Sequence, residues 1–389
     1  MFRAAAFVIA ASVACAAPAA AQSAPNSSAA PPATASPANA PVSAVDAARA
    51  RVAAGDLAGA IGALSAYATA HPEDAAAARY LGDLYYRKSD FGAAERAYLA
   101  ALRVTPNDRQ THDRLGVIYA SEDRVHEAIQ QFQASLPDAA AYDSLVELHR
   151  RLGDLASFEG QYAFAAIQNP LDSGALFALG VVLHAERKTA SAIGYLERAH
   201  ALSRDSCPIE TELGSAYLDV GATDAAIGVF KDCLHRSPND YAALVNLSDA
   251  YDPVVAEKQV RDLLEHASAI APDRPEALVD LGYLQDAGGR WHDAVAYYLK
   301  AMDVDPLWRD AYVDLGFDYE QHQMFDPAQA VLLKGLSVSP KDGRLHFLLG
   351  MAYLQQDKRD LARSEFRSAQ GSDEPDVARE ATRRLATTL

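Results

Sequence analysis

The side chains that could carry out chemistry are scattered along the 389-residue chain and form no familiar catalytic motif. The sequence has no glycine-rich phosphate loop, no Gly-x-Ser-x-Gly elbow and no His-Glu-x-x-His motif. The histidines stand singly, so a metal site would require the fold to bring several of them together. The many carboxylates are explained more simply as a solvated helix surface than as an acid–base pair. The sequence therefore predicts a protein that is not an enzyme and binds no metal or cofactor, with an unrecognised active site as the alternative.

The first 21 residues have the layout of a secretory signal peptide. Arg3 precedes an apolar stretch from Ala4 to Ala14, and the small residues Ala19-Ala20-Ala21 offer a cleavage site. One alternative is an N-terminal anchor that stays attached. Another is a lipoprotein anchored through Cys15. We expect an exported protein, in the bacterial periplasm.

Residues 22–41 are rich in Ala, Pro and Ser and predict a flexible linker. No later segment is long and apolar enough to predict a membrane-spanning helix. The chain has 35 Lys and Arg against 52 Asp and Glu, a formal net charge of −17. Because nucleic-acid binding requires a basic surface, this charge argues against a nucleic-acid partner. The acidity either favours solubility or forms an acidic groove for a basic partner.

Residues 42–371 contain an internal repeat. Prolines recur at intervals of 34 or 68 residues, with one interval of 64, at Pro72, Pro106, Pro170, Pro238, Pro272, Pro306 and Pro340. A Leu-Gly pair recurs inside most periods, with glycines Gly82, Gly116, Gly180, Gly214, Gly282, Gly316 and Gly350. A Tyr, an Ala and a large apolar residue follow most of the pairs at fixed distances. A fixed period of this size predicts a stacked repeat architecture.

This pattern resembles the tetratricopeptide repeat family. The resemblance implies an all-α, right-handed superhelical solenoid of about ten helical hairpins, and residues 372–389 predict a C-terminal capping helix. Glycine and alanine let two helices approach closely, and proline ends the second helix of a pair. The third full repeat departs from the pattern at Val146, His149 and Phe158, and residues 252–255 rewrite one turn. We expect irregular helix pairing at both places.

In this family the first helix of each pair lines a concave groove. The resemblance implies an N-terminal groove half with Arg79, Arg87, Arg114, Arg150 and Arg151 and an acidic C-terminal half with aromatic residues. The family's carboxylate clamp for chaperone tails is not reproduced. The predicted partner-binding residues are Glu212, Asp219, Asp249, Asp280, Tyr283, Asp314, Phe317, Glu320, Phe347 and Met351. The alternatives are that the acids form a merely solvated face and that the aromatic rings pack against neighbouring repeats.

The resemblance therefore predicts a non-catalytic scaffold or adaptor in the cell envelope that binds a protein or peptide, basic or amphipathic, in its groove. The alternative is a structural spacer in an envelope export or assembly machine, such as one for exopolysaccharide secretion. An enzyme with an unrecognised site is the third hypothesis.

Cys207 and Cys233 remain once a signal peptide containing Cys15 is removed. In the repeat phase, Cys207 opens a first helix and Cys233 lies near the end of the antiparallel second helix. An even pair of cysteines in an oxidising compartment favours a disulfide. The alternative is that Cys233 fills a small-residue packing position and Cys207 is free.

Overall fold

The computed structural model describes residues 43–372 and 374–387, which form 21 α-helices and no β-strand. This confirms the predicted all-α repeat fold. The predicted signal peptide, with Cys15, and the predicted linker lie outside the described residues. Within those residues, none of the helices combines the length and apolar character that a bilayer crossing requires.

Twenty of the helices pair as hairpins. The first helices are α1 (Ala44–Ala53), α3 (Ala75–Arg87), α5 (Arg109–Ser121), α7 (Ala139–Leu152), α9 (Ser173–Ala185), α11 (Cys207–Asp219), α13 (Tyr241–Asp249), α15 (Glu276–Ala287), α17 (Arg309–Gln321) and α19 (Gly343–Gln355). The second helices are α2 (Leu57–Ala70), α4 (Phe91–Val104), α6 (Val125–Ser135), α8 (Leu155–Gln168), α10 (Thr189–Leu202), α12 (Thr223–Arg236), α14 (Glu257–Ile270), α16 (Trp291–Val304), α18 (Phe325–Val338) and α20 (Arg359–Gln370). Consecutive helices pack against one another along the whole described solenoid.

The local sequence sets where these helices begin and turn. Asp74, Asp240 and Asp342 cap first helices by accepting a hydrogen bond from a backbone N–H of the first turn. In several hairpins, one residue with a left-handed backbone lies in the turn, such as Gly153 with φ of +76°. A glycine adopts this conformation without the penalty of a Cβ atom.

The repeated glycine allows the two helices of a hairpin to touch. A Cβ atom added at Gly214 would lie 2.3 Å from Cε1 of Phe230, and one at Gly316 would lie 2.4 Å from Cδ2 of Leu332. Both large side chains are fully buried. The same contact joins the repeated glycine to the large residue of the second helix in the other regular hairpins. The fixed spacing of these two residues in the sequence therefore reflects a buried contact between the two helices of each hairpin.

The two irregular repeats differ from the pattern in distinct ways. In the third full repeat the ring of His149 stacks on Phe158 with centroids 4.3 Å apart, so the aromatic pair replaces the usual Tyr and Ala. At the rewritten turn, α13 has 9 residues, whereas a regular first helix such as α3 has 13. Val254 and Val255 are exposed in the turn that follows.

The last helix, α21 (Pro375–Thr387), packs on α20 and α19. Its Ala381 is fully buried, and Val377 and Leu385 pack on the same apolar cluster. The helix therefore covers the apolar face that the final hairpin would otherwise expose, as predicted for a capping helix.

Cys207 and Cys233 form a disulfide in the structure, with Cα atoms 5.0 Å apart, and Ala243 packs beside them. The chain-entropy estimate for a loop with a sequence separation of 26 residues is about 3–4 kcal/mol. The bridge therefore ties the start of α11 to the end of α12.

We expect no free thiol in the unfolded, unreduced mature protein, from which Cys15 has been removed, when it is isolated from an oxidising compartment. Thiol titration in denaturant measures this, and reduction should expose both cysteines and lower the urea midpoint. Two free thiols per chain before reduction would mean that the cysteines merely fill the packing site.

Candidate functional site

The first helices line the inner face of the solenoid. Neighbouring first helices contact one another, as α11 does with α13, α15 with α17 and α17 with α19, whereas contacts between successive second helices are weaker. Successive first helices therefore lie closer together than successive second helices. Closer spacing on one side curves a stack of hairpins, so the face lined by first helices is concave.

Four residues at one equivalent repeat position form a row across this face. Asp249, Tyr283, Phe317 and Met351 lie on α13, α15, α17 and α19, each one period after the last. Tyr283 is 56% exposed and Phe317 is 39% exposed. Asp249 is exposed and Met351 is half-buried. The structure thus brings together four of the predicted partner-binding residues, with two aromatic rings open to solvent at the centre.

Acidic side chains flank this row. Asp280 and Asp314 occupy the equivalent position three residues before Tyr283 and Phe317, and both are half-buried. Glu320 is also half-buried. Burial raises the pKa of its carboxyl to about 7, although the positive charge of Arg384 partly offsets this rise. The negative charge of Glu320 therefore increases as the pH rises through neutrality.

Glu212 and Asp219 are placed differently from the open acidic groove that was predicted. His184 lies between them, with Nδ1 2.6 Å from Glu212 Oε1 and Nε2 2.9 Å from Asp219 Oδ2. Burial lowers the pKa of His184, but its hydrogen bonds to Asp219 and Glu212 raise it to about 9. The two carboxylates are thus paired with a protonated imidazole at neutral pH.

This network predicts a pH-dependent stability. Because the pKa of His184 is about 9 in the folded protein, against an ordinary value of 6.5, its contribution is complete below pH 6.5 and is lost as the pH rises through 9. We expect a loss of roughly 3 kcal/mol over this range. Urea unfolding at a series of pH values measures it, and His184→Gln should reduce the slope between pH 6.5 and 9. An unchanged slope in His184→Gln would exclude this network as the cause.

The prediction that Phe347 is a groove anchor is wrong. Phe347 is 4% exposed, and its ring lies 5.7 Å from that of Phe366 on α20. The equivalent residues Val245, Val279 and Val313 are also buried. This repeat position therefore faces packed neighbouring helices and not the groove.

The N-terminal half of the concave face contacts the chain's own C-terminal repeats. Arg114 on α5 lies 3.3 Å from Asp305, in the joint between α16 and α17, and it donates to the backbone oxygen of Asp273 at 3.1 Å. Tyr86 on α3 donates to Asp305 at 2.8 Å, and Arg87 pairs with Asp303. We call this group of residues the clasp.

The clasp is largely shielded from water. The side chain of Arg114 is 14% exposed and that of Asp305 is 8% exposed, and Leu307 packs against the apolar cluster of the N-terminal repeats. A buried ion pair is stable only when its members are held close and hydrogen-bonded. Two of the arginines predicted to line the N-terminal groove, Arg87 and Arg114, instead bind acidic residues of the C-terminal repeats. Of the others, Arg79 bonds Gln110, Arg150 pairs with Glu147, and Arg151 pairs with Asp123.

Sequence reasoning missed His184, Tyr86 and the acidic members of the clasp. Tyr86 and Asp305 are 219 residues apart, and Asp305 occupies a joint position that carries no repeat signature. Their contact arises from the curvature of the whole solenoid, which no local pattern encodes.

Comparisons with known proteins agree with this architecture. One tetratricopeptide repeat family model matches residues 45–109, 82–144 and 144–206, and a second matches residues 277–307. The peroxisomal targeting signal receptor of Saccharomyces cerevisiae is 43% identical over 56 residues, which cover 14% of this chain and only 9% of the receptor.

Solved structures resemble the fold over longer stretches. The crystal structure of the APC/C hetero-tetramer Cut9–Hcn1 aligns with a TM-score of 0.50 at 14% identity, covering 89% of this chain and 83% of that one. A tetratricopeptide repeat protein from Parabacteroides merdae aligns with a TM-score of 0.49 at 19% identity, covering 64% and 98%. The repeat period, the glycine contacts between paired helices and the matched family models lead to one conclusion: the chain belongs to the tetratricopeptide repeat family.

Proposed function

We propose that this protein is a non-catalytic scaffold that binds a peptide or protein segment across its concave face. The observation that carries the proposal is the row of Tyr283, Phe317 and Met351 on three successive first helices. Exposed aromatic side chains on a concave surface are typical anchors for a partner. Asp280 and Asp314 beside the row favour a basic segment over an acidic one.

The spacing of the row suggests how such a segment would lie. Packed helices are about 8–10 Å apart, and an extended chain advances about 3.3 Å per residue. One repeat therefore corresponds to about three residues of an extended partner. We propose a segment with apolar residues at every third position and lysine or arginine between them.

The cell-envelope location remains part of the proposal. It is supported by the signal-like residues 1–21 and by the disulfide between Cys207 and Cys233, since disulfides persist in oxidising compartments. The clasp favours a second candidate function, a rigid spacer in an envelope assembly, because it closes the N-terminal repeats onto the C-terminal ones. A spacer needs a large folded partner, whereas the scaffold binds a short segment.

A phage-displayed peptide library selected on the purified chain tests the scaffold. Selected peptides should be basic, with apolar residues at every third position. Reversing Asp280, Asp314 and Glu320 to Lys should weaken a selected peptide at least about tenfold and change the salt dependence of its association rate. Fluorescence anisotropy measures both quantities.

Two matched controls separate the groove from the rest of the surface. Asp232, Asp262 and Glu265 lie on second helices, away from the groove, and reversing all three to Lys changes the same number of side chains. This control should leave the affinity within about twofold. Phe317→Ala should speed dissociation about tenfold, whereas Leu333→Ala, which truncates an exposed apolar residue of α18, should not. Equal effects of the groove and control variants would contradict binding in the groove.

A further inference from the structure

One repeat carries a buried carboxylate where its sister repeats carry an apolar side chain. Asp318 lies two residues after the repeated glycine Gly316 and is 3% exposed. The equivalent residues of the other full repeats are all apolar and buried: Leu84, Ile118, Leu148, Val182, Ala216, Ala250, Leu284 and Ala352. The fold therefore does not need an acid here, and burying a charged one without compensation costs several kcal/mol.

Among the described residues, neither carboxylate oxygen of Asp318 has a hydrogen-bond partner, and both oxygens are shielded from solvent. The nearby polar groups are His322 on the same helix and Asp286 on α15. His322 Nε2 lies 3.5 Å from Asp318 Oδ1 and 3.9 Å from Asp286 Oδ1. One potential ligand atom from each of the three residues lies within 4.8 Å of the other two.

We propose that Asp286, Asp318 and His322 form a binding site for a divalent transition-metal ion. Two carboxylates that face each other repel, and a cation between them would satisfy both together with the imidazole nitrogen. Two carboxylate oxygens and one histidine nitrogen are a ligand set that Zn²⁺ and similar ions accept. Bonds of about 2.0–2.2 Å in tetrahedral geometry place ligand atoms roughly 3.3–3.6 Å apart, so the two distances from His322 Nε2 need at most a small contraction.

The surrounding residues support such a site. Asp318 and His322 are four residues apart, the first within α17 and the second at its C-terminal cap, so their side chains share one helix face. The ring of Trp291 stacks on His322 with centroids 4.6 Å apart, which limits rotation of the imidazole. Asp286 and His322 are partly exposed, so an ion could enter and keep a water molecule as its fourth ligand.

An ion at this site would join two helices of the groove. Asp286 follows Tyr283 by three residues on α15, and Asp318 follows Phe317 directly on α17. Metal binding would therefore fix the separation of the two exposed aromatic residues.

Isothermal titration of the full chain with Zn²⁺ alone at about neutral pH tests the site, using a preparation without a histidine tag. The disulfide must be intact, because free Cys207 and Cys233 would also bind Zn²⁺. We expect one ion per chain and a rise of at least about 3 °C in the thermal midpoint. Co²⁺ should give a visible absorption spectrum without thiolate charge-transfer bands.

Asp318→Leu should affect stability and Zn²⁺ binding in opposite directions. Asp318→Leu restores the residue found at Leu84 and Leu284, so the metal-free protein should melt at the same or a higher temperature while Zn²⁺ affinity falls by about 100-fold or more. His322→Gln should also lose binding. The control His346→Gln changes a histidine of the next first helix, bonded to Glu365, and should bind Zn²⁺ normally.

Two results would overturn the proposal. The first is no binding by the wild type at Zn²⁺ concentrations on the order of 100 micromolar, which would leave a proton shared by Asp286 and Asp318 as the occupant. The second is binding that Asp318→Leu and His322→Gln leave unchanged, which would assign the ion to another part of the acidic surface.

Discussion

Replacing Arg114 by Met should lower the free energy of unfolding by about 3–5 kcal/mol. The guanidinium is the main cationic partner of Asp305, which is even more buried than Arg114 itself. Methionine would leave that buried negative charge with neutral hydrogen-bond donors, such as the Tyr86 hydroxyl, in place of a cation. The substitution also removes the hydrogen bond to the backbone oxygen of Asp273. Urea unfolding followed by circular dichroism measures the loss, and small-angle X-ray scattering should show a larger radius of gyration as the clasp opens.

Arg150→Met is the matched control. Arg150 also lies on a first helix and also pairs with a carboxylate, Glu147, but both side chains are exposed. An exposed pair contributes little, so the control should change the free energy of unfolding by no more than about 1 kcal/mol and leave the radius unchanged. Equal losses in the two variants would mean that the clasp adds nothing beyond an ordinary surface ion pair.

The sequence could predict the fold because each hairpin is specified locally. The glycine, the large residue that packs on it and the turn between the helices all lie within one period, as Gly214 and Phe230 do. A pattern that recurs at a fixed interval reports contacts between adjacent helices. It also located the two irregular repeats, because Val146 and residues 252–255 interrupt it.

The candidate site could be predicted only in part, for a physical reason. Repeat phase identified the helix face of Tyr283 and Phe317, which are exposed. It failed at Phe347, where the packing of neighbouring helices decides burial. It also could not identify the clasp, because the distance between Arg114 and Asp305 depends on the curvature added up over the intervening repeats.

Replacing Gly316 by Leu should cost about 3 kcal/mol or more, because even its Cβ atom would overlap Leu332. Leu332 is fully buried, so its methyl groups cannot move aside without displacing α18 from α17. Urea unfolding measures the loss.

Gly228→Ala should raise the free energy of unfolding, whereas Gly316→Leu should lower it. Gly228 lies inside α12, and a Cβ atom there would meet nothing within 4 Å, so alanine should raise the stability by about 0.5–1 kcal/mol through its higher helix propensity. Because both variants replace a glycine, comparing them separates the effect of close packing on stability from the effect of helix propensity. A neutral Gly316→Leu variant would show that the two helices do not meet at this glycine, and the repeat phase on which the groove residues were assigned would be wrong.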